Sequence, residues 1–273
     1  MDNQAAADAT TQKVAKAAQK GSRYQNVDPG LVHSIAAAEL SKGRSFKAAV
    51  KAVRSKLHQV GSAYHTGKLD YTNWMLVLNN LPHDPGAPAL QEFCRHAMEQ
   101  HASTSERLPY LEDFFYETLA PLGEIESVLD LACGLNPLAI PWMPLAPKAT
   151  YHACDIYSDM VAFLGQFLTH TAITGQTSVC NLVEAVPQPR TQVALLLKSI
   201  PCLEHLDRQI GSRLLKTIPA DNILVSFPAR SLGGRDKGML ENYENRFQDI
   251  IAGQSWQIHR YEFPTEIAFL LTR

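Results

Sequence analysis

The run with the most chemical content is Val128-Leu-Asp-Leu-Ala-Cys-Gly-Leu-Asn-Pro137, in which an apolar stretch breaks at Gly134 and passes into Pro137. This is the pattern of a tight strand-to-helix turn with proline at the helix start. Glycine belongs where the backbone must bend and approach a ligand closely without a Cβ. About twenty residues further on, Asp155 closes a second apolar run, where its carboxylate can accept from both ribose hydroxyls of an adenosine-containing molecule. A purely structural turn and an exposed aspartate fit the same letters. A dinucleotide would call for G-x-G-x-x-G, so that its pyrophosphate could rest on the helix N-terminus. A single glycine followed by proline lacks that cradle and favours S-adenosyl-L-methionine, which has no phosphate, over NAD.

The elements that must position this turn change character along the chain. Up to about Glu99 the pattern is helical, with helices predicted over 8–20, 29–41, 45–60 and 89–100 and loops around 61–68 and 82–88. After Glu126, β-rich runs alternate with helical stretches, giving strands predicted over 127–132, 150–156, 177–182, 192–198, 222–227, 256–261 and 266–272. Alternation of this kind reads as βαβ units. The predicted fold is α/β: a Rossmann-like, seven-stranded, mainly parallel sheet of the class I methyltransferase type with an antiparallel C-terminal hairpin, preceded by an all-helical N-terminal domain. The expected boundary divides residues 1–105, basic and RNA-binding, from residues 106–273, the methyltransferase domain.

Composition is that of a packed protein, with 45% hydrophobic and 19% charged residues among 273. The net charge of −2 hides an asymmetry: residues 1–60 carry ten Lys/Arg against four Asp/Glu, leaving fifteen against twenty-three for the remainder. Lys42, Arg44, Lys47, Lys51, Arg54 and Lys56 occur with no acid between Leu40 and Leu57, while Phe46, Val50, Val53, Leu57 and Val60 recur at helical spacing. One helix thus presents an apolar and a cationic face. A cationic face is either an ordinary solvated one or a patch that tracks phosphates and gains from counterion release. Cys94, Cys133, Cys154, Cys180 and Cys202 are odd in number, lack C-x-x-C spacing and sit mostly in apolar runs, as buried reduced thiols do. No metal site is expected from that spacing. With no apolar run near membrane-spanning length and no apolar leader, a cytoplasmic monomer without membrane contact is expected.

Three segments carry more: His101-Ala-Ser-Thr-Ser-Glu-Arg-Leu108, Ala132-Cys-Gly-Leu-Asn-Pro-Leu138, and Ser226-Phe-Pro-Ala-Arg-Ser-Leu-Gly-Gly-Arg-Asp-Lys-Gly-Met239 followed by Glu241-Asn-Tyr243. Together they resemble the aminoglycoside-resistance 16S rRNA (guanine(1405)-N7)-methyltransferases, and the resemblance extends over nearly the whole chain. It implies S-adenosyl-L-methionine as cofactor and the decoding region of 16S rRNA, within the 30S subunit, as target. By the same resemblance His101, Ala102, Ser103 and Arg107 hold the methionine end of the cofactor, Arg107 through a bidentate fork on its carboxylate. Ala132 and Gly134 line its wall, Asp155 takes the ribose, Leu197 lies near the transferred methyl, and Tyr64 reaches over as a lid. Asn181 and Leu182 fall at the adenine; many relatives have Asp where this chain has Asn181, whose carbonyl oxygen can still accept. Lys42, Arg44, Lys47, Lys51, Arg54, Arg230, Arg235, Lys237, Met239 and Glu266 fall at target-contact positions, with arginines for phosphates, a thioether to unstack and a carboxylate for a guanine edge. Guanine N7 carries an in-plane lone pair, so its methylation needs positioning and no general base. Two other readings remain compatible with the residues: a class I methyltransferase acting on a different nucleotide or a small molecule, and a non-catalytic RNA-binding or ribosome-assembly factor.

Overall fold

The computed structural model describes residues 2–21, 23–61, 69–229 and 239–273. Three helices open the chain, α1 (Asp2–Gln19), α2 (Pro29–Leu40) and α3 (Phe46–Val60). Asp28 caps α2, accepting from the Leu31 amide at 2.8 Å, and Pro29 follows at the first helical position. Further helices α4 (Tyr71–Leu78), α5 (Pro88–Met98), α6 (Ala102–Ser105) and α7 (Leu111–Leu119) lead to the sheet. Helices α4 and α7 were not anticipated. The first is only eight residues long and apolar nearly all round, although Asp70 caps it by accepting from the Asn73 amide at 3.1 Å, and the second lacks a capping side chain.

The sheet contains β1 (Ile125–Leu131), β2 (Leu145–Asp155), β3 (Thr174–Val179), β4 (Thr191–Leu197), β5 (Ala220–Pro228), β6 (Gln257–Phe263) and β7 (Glu266–Thr272), with α8 (Ser158–His170), α9 (Ile200–Leu203), α10 (Ile210–Thr217) and α11 (Met239–Ile251) in the connections. Strand order is β3-β2-β1-β4-β5-β7-β6. The pairs from β3 to β5 are parallel, and β7 runs antiparallel to both β5 and β6. The order reverses between β1 and β4, and the crevice at the carboxyl ends of strands beside such a reversal is where open α/β sheets hold ligands.

Two local expectations change. The segment after β1 is a 3-10 turn run, Asn136–Trp142, because Pro137 and Pro141 each remove an amide donor that an α-helix would use. Strand β3 ends at Val179, three residues short of its predicted end, which leaves Asn181 and Leu182 in the following loop. The cysteines are also corrected. Cys154, near the end of β2, and Cys180, just past β3, are disulfide-bonded with Cα atoms 5.7 Å apart, because parallel pairing of β2 with β3 brings the two strand ends side by side. Cys94, Cys133 and Cys202 are buried and take no part in a disulfide, as expected.

The N-terminal helices are not a separate lobe in packing terms. One apolar cluster runs from Val14, Val32 and Val53 through Phe114 to Tyr151 and Phe163. Backbone bonds fix the contact: Asp28 donates to the Ile156 carbonyl at 2.8 Å and Ser158 to that of Asn26 at 2.8 Å. The loop that follows Asp155 is therefore held from the N-terminal side. Among the described residues no helix is long and apolar enough to cross a membrane.

Candidate active site

A cleft of about 720 Å³ opens at the carboxyl ends of β1, β2 and β4, walled on one side by Val60 and Gly61 at the end of α3. Backbone strain concentrates here. Ala132 (φ 50°) and Gly134 (φ 53°) follow β1, and Lys198 (φ 54°) follows β4. Left-handed conformations at non-glycine residues cost about 1–3 kcal/mol each and persist where the surroundings over-determine them. At Gly134 a side chain is also sterically barred, since a Cβ would lie 2.8 Å from Cε1 of His101.

Two carboxylates face the cleft with different environments. Asp155 accepts from the amides of Gly134 at 2.9 Å and Ile156 at 2.6 Å; burial raises its pKa, and those backbone bonds oppose the rise. Asp130 is more deeply committed. Its Oδ2 accepts from Asn136 Nδ2 at 2.9 Å and from the Tyr151 hydroxyl at 2.7 Å, while Oδ1 is buried with no hydrogen-bond partner among the described residues. Burial pushes the Asp130 carboxyl up to about 7, against the pull of Asn136, Tyr151 and Arg107. A buried acceptor without a donor is costly, and supplying the donor recovers that cost.

Arg107 lies beneath the cleft at 1% exposure. Its Nε and Nη2 donate to Oε2 and Oε1 of Glu266 at 2.9 and 2.6 Å, its Nη1 donates to Asn136 Oδ1 at 3.1 Å, and its guanidinium stacks 4.4 Å from the Phe114 ring centre. Burial disfavours the Arg107 cation, and the Glu266 charge more than restores it. Burial likewise works against the Glu266 anion, yet Arg107 and Lys198 hold its carboxyl below the usual range. Lys198 Nζ donates to Glu106 Oε2 at 2.8 Å and stands 3.5 Å from Glu266 Oε2.

The cleft gathers His101, Ser103, Arg107, Ala132, Gly134, Asp155 and Leu197, all expected there. Ala102, at the start of α6, is half-buried and does not line it. Neither do Asn181 and Leu182. Asn181 Oδ1 accepts from the Val183 amide at 3.1 Å, which commits one of its lone pairs within its own loop, and its Nδ2 is buried without a partner among the described residues. Leu182 is buried in the apolar cluster on the other face of the sheet. Glu266, expected at the target surface, is fully buried. Tyr64, Arg230, Arg235 and Lys237 lie outside the described residues, and Met239 is the first residue of α11. The cationic residues divide. Lys42 and Arg44 pair with the buried Glu39 at 2.5 and 2.7 Å, and Arg54 donates to the carbonyls of Ala17 and Ala18 at 3.0 Å each, closing the end of α1. Lys47 and Lys51 are exposed with no charged partner among the described residues. Asp130, Asn136 and Lys198 were missed by sequence reasoning; the signal available was a charged or polar residue at the end of an apolar run, which is how Asp155 was found.

Three comparisons bear on this geometry. The family profile described as ribosomal RNA methyltransferase (FmrO) matches residues 20–270. The chain is 36% identical to a 16S rRNA (guanine(1405)-N(7))-methyltransferase of Micromonospora rosea over 92% of this chain and 93% of that one. It is 35% identical to the enzyme of the same name in Micromonospora echinospora, over 96% of each. Among solved structures, the 16S rRNA methyltransferase RmtF in complex with S-adenosyl-L-homocysteine superposes with a TM-score of 0.80 at 28% identity, covering 96% of this chain and 98% of that one.

Proposed function

We infer the function from one premise: this chain belongs to the ribosomal RNA methyltransferase (FmrO) family, with relatives named 16S rRNA (guanine(1405)-N(7))-methyltransferase that align over nearly its whole length. It is an S-adenosyl-L-methionine-dependent methyltransferase that modifies N7 of guanine 1405 in 16S rRNA. The observation that carries this is the match from residue 20 to 270, which takes in both the helical segment and the cleft. Two finer readings join it as proposals. The substrate is the assembled 30S subunit, which residues 1–105 engage as a basic module and residues 106–273 modify, and the modified base confers aminoglycoside resistance by adding positive charge to the decoding site.

The cleft residues fit the cofactor. Asp130 Oδ1 offers a buried acceptor suited to an ammonium, Arg107 keeps donors for a carboxylate, and Asp155 retains lone pairs for a ribose beside the amides it already holds. The cofactor supplies an electrophilic methyl on sulfonium. The chain's residues supply geometry: strained turns at Ala132, Gly134 and Lys198 fix the walls, and the Asn26–Asp28 contact holds the loop after Asp155 against the helical segment. Guanine N7 has no proton to lose, so holding the base in line is the catalytic work. Extruding the base costs a few kcal/mol, which cationic contacts such as Lys47 and Lys51 offset through neighbouring phosphates.

The test is transfer of label from S-adenosyl-L-methionine to isolated 30S subunits, mapped by strand cleavage at N7-methylguanosine. Label at guanine 1405 is the expected result. Label at another nucleotide, or on free 16S rRNA but not on the subunit, overturns the corresponding part of the proposal.

A further inference from the structure

We propose that Glu266 acts on the cofactor side of the site as the residue that positions Arg107, and that it does so without touching the target base. The inference rests on the reading of the cleft as a site for S-adenosyl-L-methionine. Glu266 opens β7, next to Pro228 at the end of β5, and the preceding Thr265 donates to the Glu106 carbonyl at 3.2 Å, beside Arg107. The carboxylate is at 0% exposure. All its acceptor directions face cations or hydroxyls of the protein: Oε2 accepts from Arg107 Nε and has Lys198 Nζ at 3.5 Å, and Oε1 accepts from Arg107 Nη2 and from the Ser226 hydroxyl. A guanine edge would have to displace these partners and enter a space without solvent access.

The geometry serves Arg107 instead. A guanidinium has five N–H bonds. Glu266 takes the Nε–H and one on Nη2, and Asn136 takes one on Nη1. Five less three leaves one N–H on each Nη without a partner among the described residues. Those two N–H groups are donors that a second carboxylate can accept from. Arg107 also lines the cleft, so the remaining pair belongs to a residue that a cleft ligand reaches. A free arginine side chain would lose rotamer freedom on being fixed, and Glu266, Asn136 and the Phe114 ring have already imposed that order. The charges agree. Arg107 and Lys198 against Glu266 and Glu106 make a neutral group of four, and the Asp130 carboxylate facing the same cleft suits the ammonium that accompanies the ligand's carboxylate.

The test separates a carboxylate-specific effect from loss of structure. In Glu266→Gln, affinity for S-adenosyl-L-homocysteine measured by calorimetry is expected to fall tenfold or more. Affinity for 5′-methylthioadenosine, which keeps adenine and ribose but has no carboxylate, is expected to stay within twofold. Ser226→Ala, a milder change to the same carboxylate, should give a smaller loss with the same selectivity, and it answers the question if Glu266→Gln does not fold. Affinity for 30S subunits should be unchanged in both. Equal weakening of both nucleosides in Ser226→Ala, or unchanged S-adenosyl-L-homocysteine binding with weakened 30S binding, overturns the assignment. Failure of the unaltered protein to bind S-adenosyl-L-homocysteine would instead strike the cofactor reading itself.

Discussion

Replacing Gly134 by alanine tests whether the turn after β1 is built for a ligand or is only a turn. Two costs are separable. The first is the left-handed backbone, φ 53°, which an L-residue adopts at about 1–2 kcal/mol. The second is contact: the new Cβ would lie 2.8 Å from Cε1 and 3.1 Å from Nε2 of His101. His101 is itself buried beside the cleft, so it cannot simply swing into solvent, and overpacking of this kind costs about 1–3 kcal/mol. Gly253, two residues past the end of α11, is the internal control, because its φ is 74° and nothing lies within 4 Å of a Cβ there.

Chemical denaturation should therefore show Gly253→Ala losing about 1–2 kcal/mol and Gly134→Ala about 2–5 kcal/mol. Calorimetry with S-adenosyl-L-homocysteine should show binding intact in the first and lost in the second, since His101 must move into the space the ligand occupies. Equal destabilisation in the two variants would refute the steric argument. Intact binding in a folded Gly134→Ala protein would refute the placement of the ligand against this turn.

Other predictions follow from the same coordinates. Burial raises the Asp130 carboxyl to about 7, so between its unfolded value near 4 and 7 the folded chain holds a proton that the unfolded chain has released. Stability of the ligand-free protein should fall as pH rises through that window, and Asp130→Asn should flatten the slope; denaturation midpoints at pH 5 and pH 8 that shift alike in both proteins would contradict this. Lys47→Glu with Lys51→Glu should weaken 30S binding and reduce its log–log salt slope by about 2, one per phosphate contact, with cofactor affinity unchanged; an unaltered slope would make this face merely solvated. The Cys154–Cys180 bond spans 26 residues, and loop-closure entropy for that length is worth about 3 kcal/mol, so a reducing agent should destabilise the unaltered protein by roughly that amount and leave Cys154→Ser unaffected.

What the sequence made legible was whatever short-range chemistry fixes. The glycine turn, the acid closing β2 and the alternation of β and α runs are local, and the structure has them close to where the periodicity put them, apart from β2 starting five residues earlier, β3 lying three residues earlier, and the prolines that convert a helix to 3-10 turns after β1. Charge alone misled within the basic helix. Lys42, Arg44, Lys47, Lys51 and Arg54 look equivalent as letters, yet Glu39 six residues upstream of Ser45 claims two of them, and the end of α1 claims a third. A cation that finishes a hydrogen-bond inventory inside the protein is a different object from one that faces only water.

The same distinction decides the centre of the site. Glu266 is an acid at the start of a strand, a position that reads as open to a ligand, and only tertiary pairing across 159 residues shows it closed on Arg107. No periodicity carries that information, because the pair is made by the docking of α7 and the Arg107 segment before it against β7 and not by either segment alone. Once made, it constrains function more tightly than the turn does. A buried carboxylate whose removal would strand an arginine is expensive to rearrange, with broken buried pairs costing about 3–5 kcal/mol. A catalytic cycle that had to open this pair at every encounter with the target would meet that cost in the step that also extrudes a base. A pair that stays closed and presents Arg107 to the cofactor meets it once, during folding.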